Sequence, residues 1–128
     1  MTISFSKNLA IALGIITPLL ETVRRWSTWQ EDPAAFFDDF IIGGFLLFGA
    51  WQVTRNVENG QKYLTAAWGF VCGMIYPSFF GQLQAISAGE IDPAPISSEA
   101  VAVIKGIGFA LAILGLVTSL RIVRDETL

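Results

Sequence analysis

Between Lys62 and Glu90 the chain carries no Asp, Glu, Lys or Arg, and Trp68, Phe70, Phe79 and Phe80 are spread along that stretch. A helix in water keeps a charged or polar face toward solvent, and no charged face exists here. The stretch is long enough for a helix of about 20 residues, the length that crosses the hydrocarbon core of a bilayer. Hydrocarbon, rather than water, is the solvent this segment is built for.

Three other stretches repeat the pattern. The apolar run Leu9 to Leu20, extended by its polar flanks, predicts a helix over about 6–26. Asp32 followed by Pro33 is a helix start, because the carboxylate accepts from free backbone N–H groups and proline loses nothing in the first turn; the second helix is expected over 33–55. Asn59 and Gly60 then read as a turn kept wet by Arg55, Glu58 and Lys62, with the third helix over 63–84. Gly89, Glu90, Asp92, Pro93 and Pro95 mark an irregular acidic loop. Ser98 and Glu99 cap a fourth helix over 99–123, with Lys105 set into its apolar run.

The expected fold is all-α: an integral membrane four-helix bundle in which residues 1–128 form a single transmembrane domain. A secretory signal is the competing reading of the first stretch, since Lys7 precedes it. Against that, no A-x-A-like cleavage site follows Leu20, and the chain runs into Glu21, Arg24 and Arg25.

Composition narrows the function. Of 128 residues 53% are hydrophobic and 15% charged, well below the roughly 25% charged residues of a soluble domain. The net charge is -3 and the eight Lys and Arg residues are scattered, so the basic patch that nucleic acid requires is missing. The sequence has no histidine, which removes imidazole ligation of metals and the commonest general base. Cys72 is the sole cysteine, so a thiolate cluster is out of reach, and its apolar setting suits packing. No cofactor, metal or catalytic residue is expected, and an enzyme is disfavoured.

Orientation follows from Lys and Arg near the helix ends. Four spans place Lys7, Arg55, Lys62, Arg121 and Arg124 on one side, against Arg24, Arg25 and Lys105 on the other. Both termini are expected in the cytoplasm of a bacterial inner-membrane protein. Trp26, Trp29, Phe36 and Phe37 bracket the first outer loop, and Trp51 and Tyr63 lie near the inner boundary, as aromatic belts do.

Small residues recur every four positions, at Ala10, Gly14 and Pro18 and again at Gly69, Gly73, Pro77 and Gly81. Such stripes let helix backbones approach closely in lipid. Glycine stands four residues before proline in both helices, and Gly44-Phe45 with Val53-Thr54 echoes Gly108-Phe109 with Val117-Thr118. Two tandem helical hairpins would explain this, and so would chance. Pro18 and Pro77 each free a carbonyl one turn earlier, and kinks at equal depth can open a small cavity in the outer half.

One polar constellation stands out. Glu21, Arg24 and Arg25 end the first helix, Asp38 and Asp39 occupy the second turn of the next, and Lys105 the second turn of the last. All six fall at one depth. Glu21 can pair with either arginine along one helix face, and neighbouring aspartates diverge by about 100°, so one is expected to face the bundle and the other the head groups. The cluster is either an ion-pair clasp or a ligand or ion site, since ionisable groups at membrane depth are functional candidates. Tyr76, Ser78 and Gln82 are candidates to complete a pocket.

Two functions follow. The first is a non-enzymatic module, embedded in the lipid bilayer, that forms a homo-oligomer or serves as a subunit of a membrane complex. The alternative is a small solute or ion transporter or channel with its polar site at the outer boundary.

Overall fold

In the computed structural model the chain forms four α-helices, α1 (Ile3–Arg25), α2 (Pro33–Arg55), α3 (Val57–Ser87) and α4 (Ser98–Ser119). The structure describes residues 3–25, 33–90 and 96–120, apart from the side chains of residues 25 and 34–36. Asp32, Trp26, Trp29, the Asp92–Pro95 segment, Arg121 and Arg124 lie outside the described residues, as do the side chains of Arg25 and Phe36.

The turn expected at Asn59–Gly60 is not there. Asn56 alone separates α2 from α3, in extended geometry (φ -158°, ψ 109°), and its side-chain oxygen accepts from the Asn59 backbone N–H at 3.0 Å. Asn59 and Gly60 therefore belong to the first turns of α3. Glycine is needed at 60 for a different reason: a Cβ there would collide with the backbone of Gln52 and Val53 on α2. The dipeptide that resembles a turn signal is in fact the contact point of a tight helical hairpin. Arg55, Glu58 and Lys62 around it are exposed.

The other ends follow ordinary capping chemistry. Gly89 leaves α3 with φ 77°, a left-handed conformation open to glycine because it has no Cβ. Ser97, one residue earlier than expected, caps α4 by accepting from the Ala100 N–H at 3.1 Å.

Among the described residues α1 packs on α2, α2 on α3, α3 on α4 and α4 on α1, while α1 and α3 meet across the diagonal. Side-chain contacts show that the helices alternate in direction. Ser6, Trp68, Gly115, Thr65 and Ser119 meet at one end, and Gln82 meets Ser98 and Lys105 at the other.

Burial differs from that of a protein in water on the outside only. The fully buried side chains Leu46, Leu64, Trp68 and Val71 form the centre. The outside is also apolar: Leu19 is 60% exposed, Val23 63% and Val103 61%, with Phe40, Phe45, Phe48 and Ile113 among the other exposed residues. An exposed apolar surface this continuous marks contact with a partner or with lipid. α1, α3 and α4 are each long and apolar enough to cross a membrane, and the 23-residue α2 is packed between α1 and α3.

Within the bundle the stripes behave differently from one another. Gly14 on α1 faces Gly43 and Leu47 of α2, where an added Cβ would come within 2.9 Å of the Leu47 side chain. Gly43 in turn sits against the Gly14 carbonyl and the Pro18 ring. On α3, Gly69, Gly73, Pro77 and Gly81 are all exposed. The two stripes are alike in spacing and unlike in use.

Candidate functional site

Carboxylates and cations placed in the end turns of helices have only neighbouring helices or head groups to satisfy them. Glu21 closes the last turns of α1 and is buried, at 6% exposed. Arg24, three residues on, donates to both Glu21 oxygens at 3.3 and 3.4 Å, the i,i+3 pairing that helix geometry allows. From α2, Asp39 comes within hydrogen-bonding reach of Glu21 and within the electrostatic reach of Arg24 and Lys105. From α4, Lys105 donates to the Gln82 side-chain oxygen at 3.3 Å, and the Gln82 amide donates to the Ser98 carbonyl at 3.3 Å. Gln82 thus ties α3 to the start of α4.

These groups border a cavity of about 610 Å³ to which all four helices contribute. Glu21, Arg24, Asp38, Asp39 and Lys105 form its polar part, and Ser78 adds a hydroxyl. Leu13, Ile16, Ile42, Ile75, Ile104 and Leu111 are among its apolar walls. Asp38 and Asp39, expected to part company, both line it. Neighbouring side chains about 100° apart on α2 can both border a volume of this size.

Five of the six charged candidates meet at one place, and the side chain of the sixth, Arg25, lies outside the described residues. Of the pocket candidates, Ser78 lines the cavity and Gln82 holds Lys105 beside it. Tyr76 departs from expectation. It is 58% exposed, and its ring packs 5.0 Å from Phe80 and 6.2 Å from Phe109. At two residues' separation from Ser78, about 200° around the helix, the two side chains cannot share a face.

Residues beside both prolines border the cavity: Thr17 next to Pro18, and Ser78 next to Pro77. The Thr17 hydroxyl itself donates back to the Leu13 carbonyl at 2.8 Å. Three features were not expected from the sequence. Gly108 of α4 lines the cavity, and a Cβ on it would meet nothing within 4 Å. Ser6 joins Trp68 to the Gly115 carbonyl. Thr65 and Gln61 both reach Ser119. Single serines and threonines in an apolar run look alike until their neighbours are known.

At the opposite end, Trp51 and Tyr63 are exposed near the α2–α3 turn, and the Arg55 guanidinium lies 4.8 Å from the centre of the Trp51 ring. Fold and surface together define a class: a small multi-pass membrane protein built as an all-α four-helix bundle. No protein-family model, curated protein or solved structure matches the chain.

Proposed function

We propose that the chain acts without catalysis, as a membrane module that associates with further copies of itself through the outer face of α3. The supporting observation is that Gly69, Gly73 and Gly81 are exposed and that a Cβ built on any of them meets nothing within 4 Å. In hydrocarbon no hydrophobic force draws helices together, and association relies on surfaces that let backbones approach. The α1 stripe is covered by α2 within the chain; the α3 stripe is left for a neighbour.

A Cβ at Gly69 or Gly73 meets nothing within the single chain, so Gly69→Ile and Gly73→Ile are each expected to convert an oligomer into a monomer, read by light scattering in mild detergent with unchanged circular dichroism. A wild-type monomer, both in detergent and after cross-linking in native membranes, overturns the reading. A stoichiometric foreign subunit held by the same face would make the protein an accessory subunit instead.

In this reading α2 is a fourth crossing and both termini face the cytoplasm of a bacterial inner membrane. The end of the bundle that holds Ser6 and Ser119 also carries Lys7, Arg55 and Lys62, in keeping with the positive-inside rule. A second reading, a small solute or ion carrier, draws on the cavity and its charged groups. Leu46, Leu64, Trp68 and Val71 are fully buried in the bundle, so a conducting path needs a rearrangement or a second copy. Solute flux into proteoliposomes, abolished by Asp39→Asn, would establish it.

A further inference from the structure

The cavity has the two ends that an amphiphile has. Along α1, Glu21 and Arg24 belong to its polar part and Leu13 to its apolar part, and Leu13 and Glu21 are about 12 Å apart at 1.5 Å rise per residue. Its side is open toward the membrane. Ile16 and Leu20 of α1 and Ile104 and Ile107 of α4 all line it, yet they are 44%, 47%, 43% and 56% exposed. These apolar lining residues of α1 and α4 are therefore accessible, not sealed within the bundle.

Charge selects among amphiphiles. The lining holds three acids, Glu21, Asp38 and Asp39, and two bases, Arg24 and Lys105. Glu21 pairs with Arg24, and Asp39 lies in the field of Arg24 and Lys105. Asp38, half-buried in the same wall, has no hydrogen bond or ion pair among the described residues. A carboxylate left without a partner beside apolar walls attracts a cation.

We propose that the cavity holds a membrane phospholipid whose head group carries an ammonium, with the ammonium at Asp38 and one acyl chain against the apolar wall. A lipid of the surrounding bilayer reaches this position laterally between α1 and α4, without crossing water. The site is independent of the α3 face and stands or falls separately from self-association.

The test uses the full chain in neutral maltoside micelles, with lipid retention read by native mass spectrometry. Phosphatidylethanolamine and phosphatidylglycerol of identical chains are the probes. The amine lipid is expected to be retained in preference, and Asp38→Asn to reduce that preference by about tenfold, the loss typical of a hydrogen bond to a charged group. Gly108→Leu places a side chain in the cavity at a position with room for it, and is expected to expel both lipids while circular dichroism stays unchanged. Equal retention of the two lipids by the wild type overturns the proposal, and that comparison needs no variant to fold. So does a preference untouched by Asp38→Asn, or retention untouched by Gly108→Leu. Stabilisation by dodecylammonium with no retention of the amine phospholipid would also overturn it, since the occupant would then be a free amine.

Discussion

At the residue scale, most of the polar side chains inside the bundle act by meeting one another. Ser6 has its hydroxyl in two hydrogen bonds, accepting from the Trp68 indole at 2.9 Å and donating to the Gly115 carbonyl at 2.8 Å. All three residues are buried, and Trp68 is 0% exposed. Ser6→Ala would strand an indole N–H where no water can reach it, costing about 1–3 kcal/mol; the expected result is a lower unfolding midpoint in a detergent–denaturant titration, without loss of helicity. Trp68→Phe removes the donor and most of the ring volume is kept, so Ser6→Ala in that background is expected to cost less than alone. Equal costs in both backgrounds would show that the pairing contributes nothing. None of this was legible in the sequence, where Ser6 is a flank residue and Trp68 one aromatic among several.

The cohesion of single elements depends on where small residues fall. Gly60 presses against the backbone of Gln52 and Val53, while Gly44 of the neighbouring helix faces open space. Gly60→Ala is therefore expected to pry α2 from α3 and to destabilise by about 1–3 kcal/mol, the usual range for overpacking. Gly44→Ala should be neutral or slightly stabilising, because alanine is the better helix former by about 1 kcal/mol. Paired thermal melts of the two variants check the contrast, and comparable losses in both would contradict the hairpin geometry. The four helices themselves were readable from runs of apolar residues, and α2 matches its expected bounds of 33–55. The start of α3 was not, because an Asn-Gly pair suits a turn as well as a helix beginning, and only contact with α2 distinguishes the two.

For the whole molecule, the decisive property is an apolar exterior around an apolar centre. Ile113, in the second half of α4, is 45% exposed; in a water-soluble bundle a lysine at such a position would be harmless. Here Ile113→Lys is expected to place an ammonium among lipid chains, at a cost of up to about 3 kcal/mol, the insertion-scale value for a helix centre. Loss of the variant from the membrane fraction after a carbonate wash is the expected reading. Retention of full yield, or wild-type protein that stays in the supernatant without detergent, would contradict the membrane assignment. Alternating helix direction brings the ends of α1, α2 and α4 to one level, which is why charges far apart in the chain border one cavity. That convergence was expected from counting spans; the open volume between the charges, and the turning away of Tyr76, were not.

Sequence alone determined the solvent, the helical class and that charge falls near the ends of the helices. These are properties of each segment by itself, since a long uncharged run must satisfy its own backbone and can do so only as a helix in lipid. Tertiary structure decided which glycines touch a neighbouring backbone, which serine meets the tryptophan, and that the charged residues border a cavity. Those outcomes depend on the rotation of each helix about its axis, and rotation is set by how side chains of different helices fit together.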